Sequence, residues 1–122
     1  IPLDDQPRDA IALGQFLRRA AAQGRLSASR PVLVEKHFWD YVVAQNVCGD
    51  ARLLRFDRFI GPEENEPSLI RVLAHRLGEF VAKNRIAMIA VRDPALRSIL
   101  AAEPALRPCA SVGAYSLYCS DR

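Results

Sequence analysis

The sequence predicts a single α/β domain built on a mostly parallel sheet. Three observations predict it. Short apolar runs alternate with stretches whose apolar residues recur at i, i+3 and i+4. The runs around Val32-Leu33-Val34 and over Ile86–Val91 are continuously apolar, as strands buried on both faces must be. The 122 residues, half of them hydrophobic and a quarter charged, suit one core and not two, so residues 1–122 are read as one domain.

Residues 1–7 form a polar lead-in, and a helix is expected from about Arg8 to Gln23. Asp4 or Asp5 can cap it, Pro7 suits its first turn, and Gly24 stops it. Its apolar stripe is Ile11, Leu13, Phe16, Leu17 and Ala20. Arg25 to Arg30 is a polar loop, and Pro31–Glu35 the first strand. A second helix covers Phe38 to Val47 and ends at Gly49. Ala51 to Phe56 carries arginines, which places that strand near an edge. Residues 57–66 are a loop with Gly61-Pro62 and an acidic run.

Pro67-Ser68 opens a helix carrying Leu69, Val72, Leu73, Leu77, Phe80 and Val81 at helical spacing. Lys83, Asn84 and Arg85 complement its C-terminal end. After the Ile86–Val91 strand, Asp93 caps and Pro94 starts a helix reaching about Ala102. Pro108 to Val112 and Tyr115 to Cys119 form a closing pair of strands around Gly113-Ala114. The order α-β-α-β-α-β-α-β-β predicts a three-layer sandwich: a mostly parallel, Rossmann-like sheet covered on both faces, with a C-terminal antiparallel hairpin as its edge. Right-handed crossovers put the first strand beside both the second and the third.

The composition excludes disordered, collagen-like and disulfide-scaffold classes. No run of about 18 apolar residues occurs, so the chain has no membrane span of its own. The net charge of +3 is spread along the chain, and 15 of the 17 basic residues are arginine. Arg18, Arg19, Arg25 and Arg30 fall near the first helix but are flanked by Asp4, Asp5 and Asp9, so no nucleic-acid partner is expected. Together with 18 alanines, the arginines read as a GC-rich coding bias. The chain begins at Ile1 with no signal peptide and is expected to be an excised or processed fragment of a longer protein.

Ligands of parallel sheets sit beyond the carboxyl ends of strands where the chain order reverses. Glu35, Lys36 and His37 on one side and Arg92 and Asp93 on the other would line that crevice, with His37 as acid–base or ligand. The competing reading is solvated loop charge, with Asp93 simply capping its helix. No Gly-rich phosphate loop, P-loop or GxSxG elbow occurs, so no catalytic residue is assigned and no cofactor is expected. Trp39 and Tyr41 offer a platform for stacking on a sugar, the alternative being that Trp39 or Phe38 packs against the sheet. Glu63, Glu64 and Glu66 match no EF-hand spacing, and His75 reads as a surface residue, so no metal is expected. Cys48, Cys109 and Cys119 lack a CxxC. Cys109 and Cys119 can bridge only if they lie opposite each other. A three-residue turn would place them so, whereas a two-residue Gly113-Ala114 turn would put them on opposite faces. The alternative is three reduced thiols.

Four stretches resemble the soluble C-terminal domain of C-type membrane glycosyltransferases, the dolichyl-phosphate-mannose-protein mannosyltransferase-like enzymes. They are Arg30-Pro31-Val32-Leu33-Val34-Glu35, Trp39-Asp40-Tyr41, Ile86–Val91 with its terminal Arg92-Asp93, and the hairpin from Val112 to Tyr118. In that family the catalytic acids lie on loops between membrane helices, which nothing here matches. The resemblance implies a non-catalytic domain on the extracytoplasmic (periplasmic) face, supporting acceptor recognition or assembly. Its partners would be the membrane-embedded part of the same protein and a glycan or protein acceptor. An oxidising compartment would favour a Cys109–Cys119 bridge. The competing reading is a stand-alone α/β domain in the cytoplasm that binds a ligand or a protein.

Overall fold

The computed structural model of the protein describes residues 5–35, 38–55 and 76–120, and for residues 5–7, 38–42 and 55 the backbone alone. Helix α1 spans Asp5–Ala22, beginning three residues before Arg8. Pro7 falls third in the helix, where the N–H it lacks would have no intrahelical acceptor, so it does not halt the first turn. Asp5 is therefore helical instead of a cap, and Asp4 lies outside the described residues. The buried face of α1 is Ala10, Leu13, Leu17 and Ala20, whereas Ile11 is 41% exposed. Ile11 was expected on the apolar stripe; the helix instead turns the small Ala10 inward.

Helix α2 spans Phe38–Val47 and packs on α1 through Gly14. A Cβ at Gly14 would stand 2.7 Å from Val47 Cβ and 3.1 Å from the Ala44 carbonyl. Gly14→Ala should therefore destabilise the protein by about 1–2 kcal/mol, although alanine is the better helix former by about 1 kcal/mol. Urea denaturation checks this, and a rise in the midpoint would contradict it. Cys48, fully buried after α2, has the carbonyls of Ala51 (3.3 Å) and Gln45 (3.4 Å) within reach of its sulfur, and either can accept its one thiol hydrogen. Burial pushes this thiol up from its ordinary value, with a smaller opposing effect from a backbone hydrogen bond. The folded state thus favours the neutral thiol. That contribution is complete below the ordinary thiol range and is lost as pH rises through the raised value. Stability should decline in the alkaline range more steeply than in Cys48→Ala, as read from urea midpoints against pH.

Five strands among the described residues form one sheet: β1 (Val32–Val34), β2 (Leu53–Arg55), β3 (Met88–Val91), β4 (Leu106–Val112) and β5 (Tyr115–Ser120). The spatial order is β2-β1-β3-β5-β4. β1 pairs in parallel with β2 (Leu33 opposite Leu54) and with β3 (Leu33 opposite Ile89). β5 runs antiparallel to both β3 and β4. The sheet is thus mixed, not mostly parallel. The hairpin inserts its apolar second strand beside β3 and leaves β4, with Arg107, Pro108 and Ser111 exposed, as the edge. A helical segment over residues 76–84, α3, precedes β3, and α4 (Pro94–Ala101) follows it.

Alternation along the strands sorts their side chains into two apolar clusters. Val32, Val34, Met88, Ala90, Tyr115 and Leu117 join Leu13 and Leu17 of α1 and Ala44 of α2. Leu33, Ile89, Val91 and Tyr118 join Leu77 and Val81 of α3 and Leu96 and Leu100 of α4. Each fully buried leucine or isoleucine contributes about 1.5–3 kcal/mol by leaving water.

The hairpin turn is the two-residue one, with Val112 opposite Tyr115, yet Cys109 and Cys119 are disulfide-bonded, with Cα atoms 5.8 Å apart. A β-bulge between Pro108 and Ala110 reconciles the two. It inserts Cys109 as an extra residue, so that Cys109 and Ala110 both pack against the cluster that holds Leu117 and Cys119. The bulge undoes the strict alternation that would have set the two cysteines on opposite faces.

Candidate functional site

The crevice at the carboxyl ends of β1 and β3 brings Glu35, Arg92 and Asp93 together. Glu35 continues the parallel ladder past β1, its N–H donating to the Ala90 carbonyl at 3.0 Å. Its side chain is buried, at 5% exposure, and Oε1 accepts the backbone N–H groups of both Arg92 and Asp93 at 2.8 Å. These are the amides that lead into α4, where an anionic ligand would be expected to bind. A carboxylate of the chain itself holds them. Asp93 caps α4 through Oδ1, which accepts from Ala95 N at 2.7 Å.

The surrounding polar groups also bind one another. Arg97 Nη2 donates to the Arg92 carbonyl at 2.7 Å, and the Tyr118 hydroxyl donates to the Arg97 carbonyl at 3.4 Å. The Arg92 guanidinium lies 5.4 Å from the centre of the buried Tyr115 ring and 3.9 Å from Asp9 Oδ2. A pair at that distance, both side chains about one-fifth exposed, contributes little to stability. Asp9 also crowds the hairpin turn: a Cβ at Gly113, whose φ is +56°, would collide with Oδ1. Arg97 Nε is buried without a hydrogen-bond partner among the described residues. The crevice residues described here act as a latch joining the end of β1 to the β3–α4 turn.

Lys36, His37, Glu63, Glu64, Glu66 and His75 lie outside the described residues, so the acid–base reading of His37 and the acidic run find no geometry here. Trp39 and Tyr41 belong to α2, but their side chains are likewise outside the description. No group of three metal-ligating side chains occurs among the described residues. No helix there is long and apolar enough to cross a membrane.

The feature that sequence reasoning missed is at the opposite end of the sheet. A cavity of about 880 Å³ opens beside the amino ends of β1 and β3, between the C-terminal ends of α3 and α4. Arg30, Arg85, Glu103 and Ser120 give it polar groups, and Val81 and Ile86 apolar wall. Its sequence signal was an arginine, Arg85, standing where a helix runs directly into a strand and a glycine would be the ordinary choice. Comparison with protein-family models, with curated proteins and with solved structures finds no match to this chain.

Proposed function

We propose that the chain is a non-catalytic, extracytoplasmic domain of a membrane glycosyltransferase that serves acceptor recognition or assembly. The observation that carries the reading is the Cys109–Cys119 bridge. Stable disulfides persist in oxidising compartments and are rare where glutathione and thioredoxin keep thiols reduced. A cytoplasmic binding domain would keep that pair as thiols. The glycosyltransferase parent rests on the resemblance carried by Arg30–Glu35, Trp39–Tyr41, Ile86–Asp93 and Val112–Tyr118. The non-catalytic role is supported by Glu35, whose Oε1 is committed to two backbone amides. The two apolar clusters on alternate strand residues support helices covering both sheet faces in three layers. The partners are then the membrane-embedded part of the same protein and a glycan or protein acceptor.

Alkylation of the protein isolated from its own cells without reductant tests the compartment. One thiol, Cys48, should be modified, and only after unfolding. Three modified cysteines would overturn the extracytoplasmic placement. The coding sequence upstream of Ile1 tests the parent: several hydrophobic spans are expected, and a start codon close to Ile1 would remove it.

A further inference from the structure

We propose that the cavity between the C-terminal ends of α3 and α4 binds a small organic oxyanion, a carboxylate or phosphate carried on an apolar body. The first support is the lining. Arg30 and Arg85 both line one cavity of about 880 Å³, with the Ser120 hydroxyl 3.4 Å from Arg30 Nη2 and with Val81 and Ile86 as apolar wall. Guanidinium groups pair with carboxylate and phosphate oxygens in forked geometry. Glu103, the one acid among the described lining residues, accepts the Ala105 N–H at 3.0 Å through Oε2.

The second support is independent and comes from the backbone. Among the described residues, three helices end in a left-handed residue. Gly24 follows α1 at φ +79° and Gly49 follows α2 at +68°, but Arg85 follows α3 at +56°. A side chain in that conformation costs about 1–2 kcal/mol, which a glycine would avoid. The arginine's charge favours the negative end of α3, but the capping hydrogen bonds do not need its side chain. Ile86 N bonds the Val81 carbonyl at 3.1 Å, Arg85 N the Ala82 carbonyl at 3.3 Å and Asn84 Nδ2 the Phe80 carbonyl at 3.0 Å. The Phe80, Val81 and Ala82 carbonyls in the last turns of α3 are thus satisfied by backbone and by Asn84, and Lys83 already supplies a cation to the last turn without strain. The strained position therefore carries a guanidinium that the cap does not require, and the cavity Arg85 lines is the place for it. The inference stands apart from the compartment and the parent protein, whose tests read thiols and upstream sequence.

Isothermal titration of the protein with hexyl phosphate, hexanoate, inorganic phosphate and hexanol tests it, with Arg85→Gly and Arg30→Gln beside the wild type. At least one of the two tailed anions should bind, more tightly than inorganic phosphate or hexanol, and which one does identifies the head group. Arg85→Gly should weaken that binding by roughly tenfold or more while unfolding at the same or a higher temperature, because glycine relieves the strain. Arg30→Gln should weaken it without moving the head-group preference. Unchanged affinity in Arg85→Gly, hexanol binding as tightly as the anions, or no binding by any probe would overturn the proposal. A lower melting temperature for Arg85→Gly would overturn its second support.

Discussion

Glu35→Ala should lower stability by about 3 kcal/mol. The loss has two parts. Two charge-assisted hydrogen bonds disappear, both made by Oε1 at 2.8 Å. The N–H groups of Arg92 and Asp93 are then left part-buried without that acceptor, and such orphaned donors cost about 1–3 kcal/mol each where water cannot reach them. Glu35→Gln keeps an acceptor oxygen in the same place and loses only the charge, so its cost should be about 1 kcal/mol. For a domain of this size the alanine variant should melt roughly 10 °C lower. Thermal unfolding and urea midpoints of the two variants check the order. The order also separates latch from reactive group. A carboxylate kept for chemistry is held against the interests of the fold, and its removal tends to leave stability unchanged or raised. An alanine variant as stable as the wild type would therefore leave Glu35 as a ligand-facing residue of the crevice and not a latch.

The parallel centre of the sheet was legible because Val32-Leu33-Val34 and Ile86–Val91 are apolar without interruption, which a strand buried on both faces requires. The cap at Asp93 was legible because it depends on three adjacent residues alone. What depends on register was not. The latch at Glu35 follows from Leu33 lying opposite Ile89, which aims the end of β1 at the β3–α4 turn, and no local pattern records that pairing. The hairpin's place was half legible: Pro108 marks β4 as an edge strand, and β5 then has to take the interior position beside β3. The bulge left no such mark, because no glycine accompanies Cys109. The site at the other end of the sheet was hidden by a rule of thumb, since parallel sheets place their ligands at the carboxyl ends and the cavity with Arg30 and Arg85 lies at the amino ends.

Replacing both Cys109 and Cys119 by alanine should cost about 2–3 kcal/mol, the chain-entropy value for a bridge that closes a separation of 10 residues. The turn at Gly113-Ala114 already holds the two strands together, so part of that entropy is lost in the reduced chain as well, which argues for the lower end. The damage should also be local. Pro108 gives β4 no N–H to donate, and the bulge interrupts the ladder at Cys109, so the pairs Leu106–Ser120 and Arg107–Cys119 are cut off from the turn-side ladder and lean on the bridge more than the rest of the hairpin does. Beyond the bulge, Ser111 and Val112 keep their partners Ser116 and Tyr115. Amide hydrogen exchange should therefore quicken at Leu106 and Arg107 in the double variant, while Leu33 and Ile89 in the parallel centre lose protection only in step with the global stability. Equal acceleration across all five strands would mean that the bridge stabilises the whole sheet and not its edge. No acceleration anywhere would mean that the hairpin closes without it.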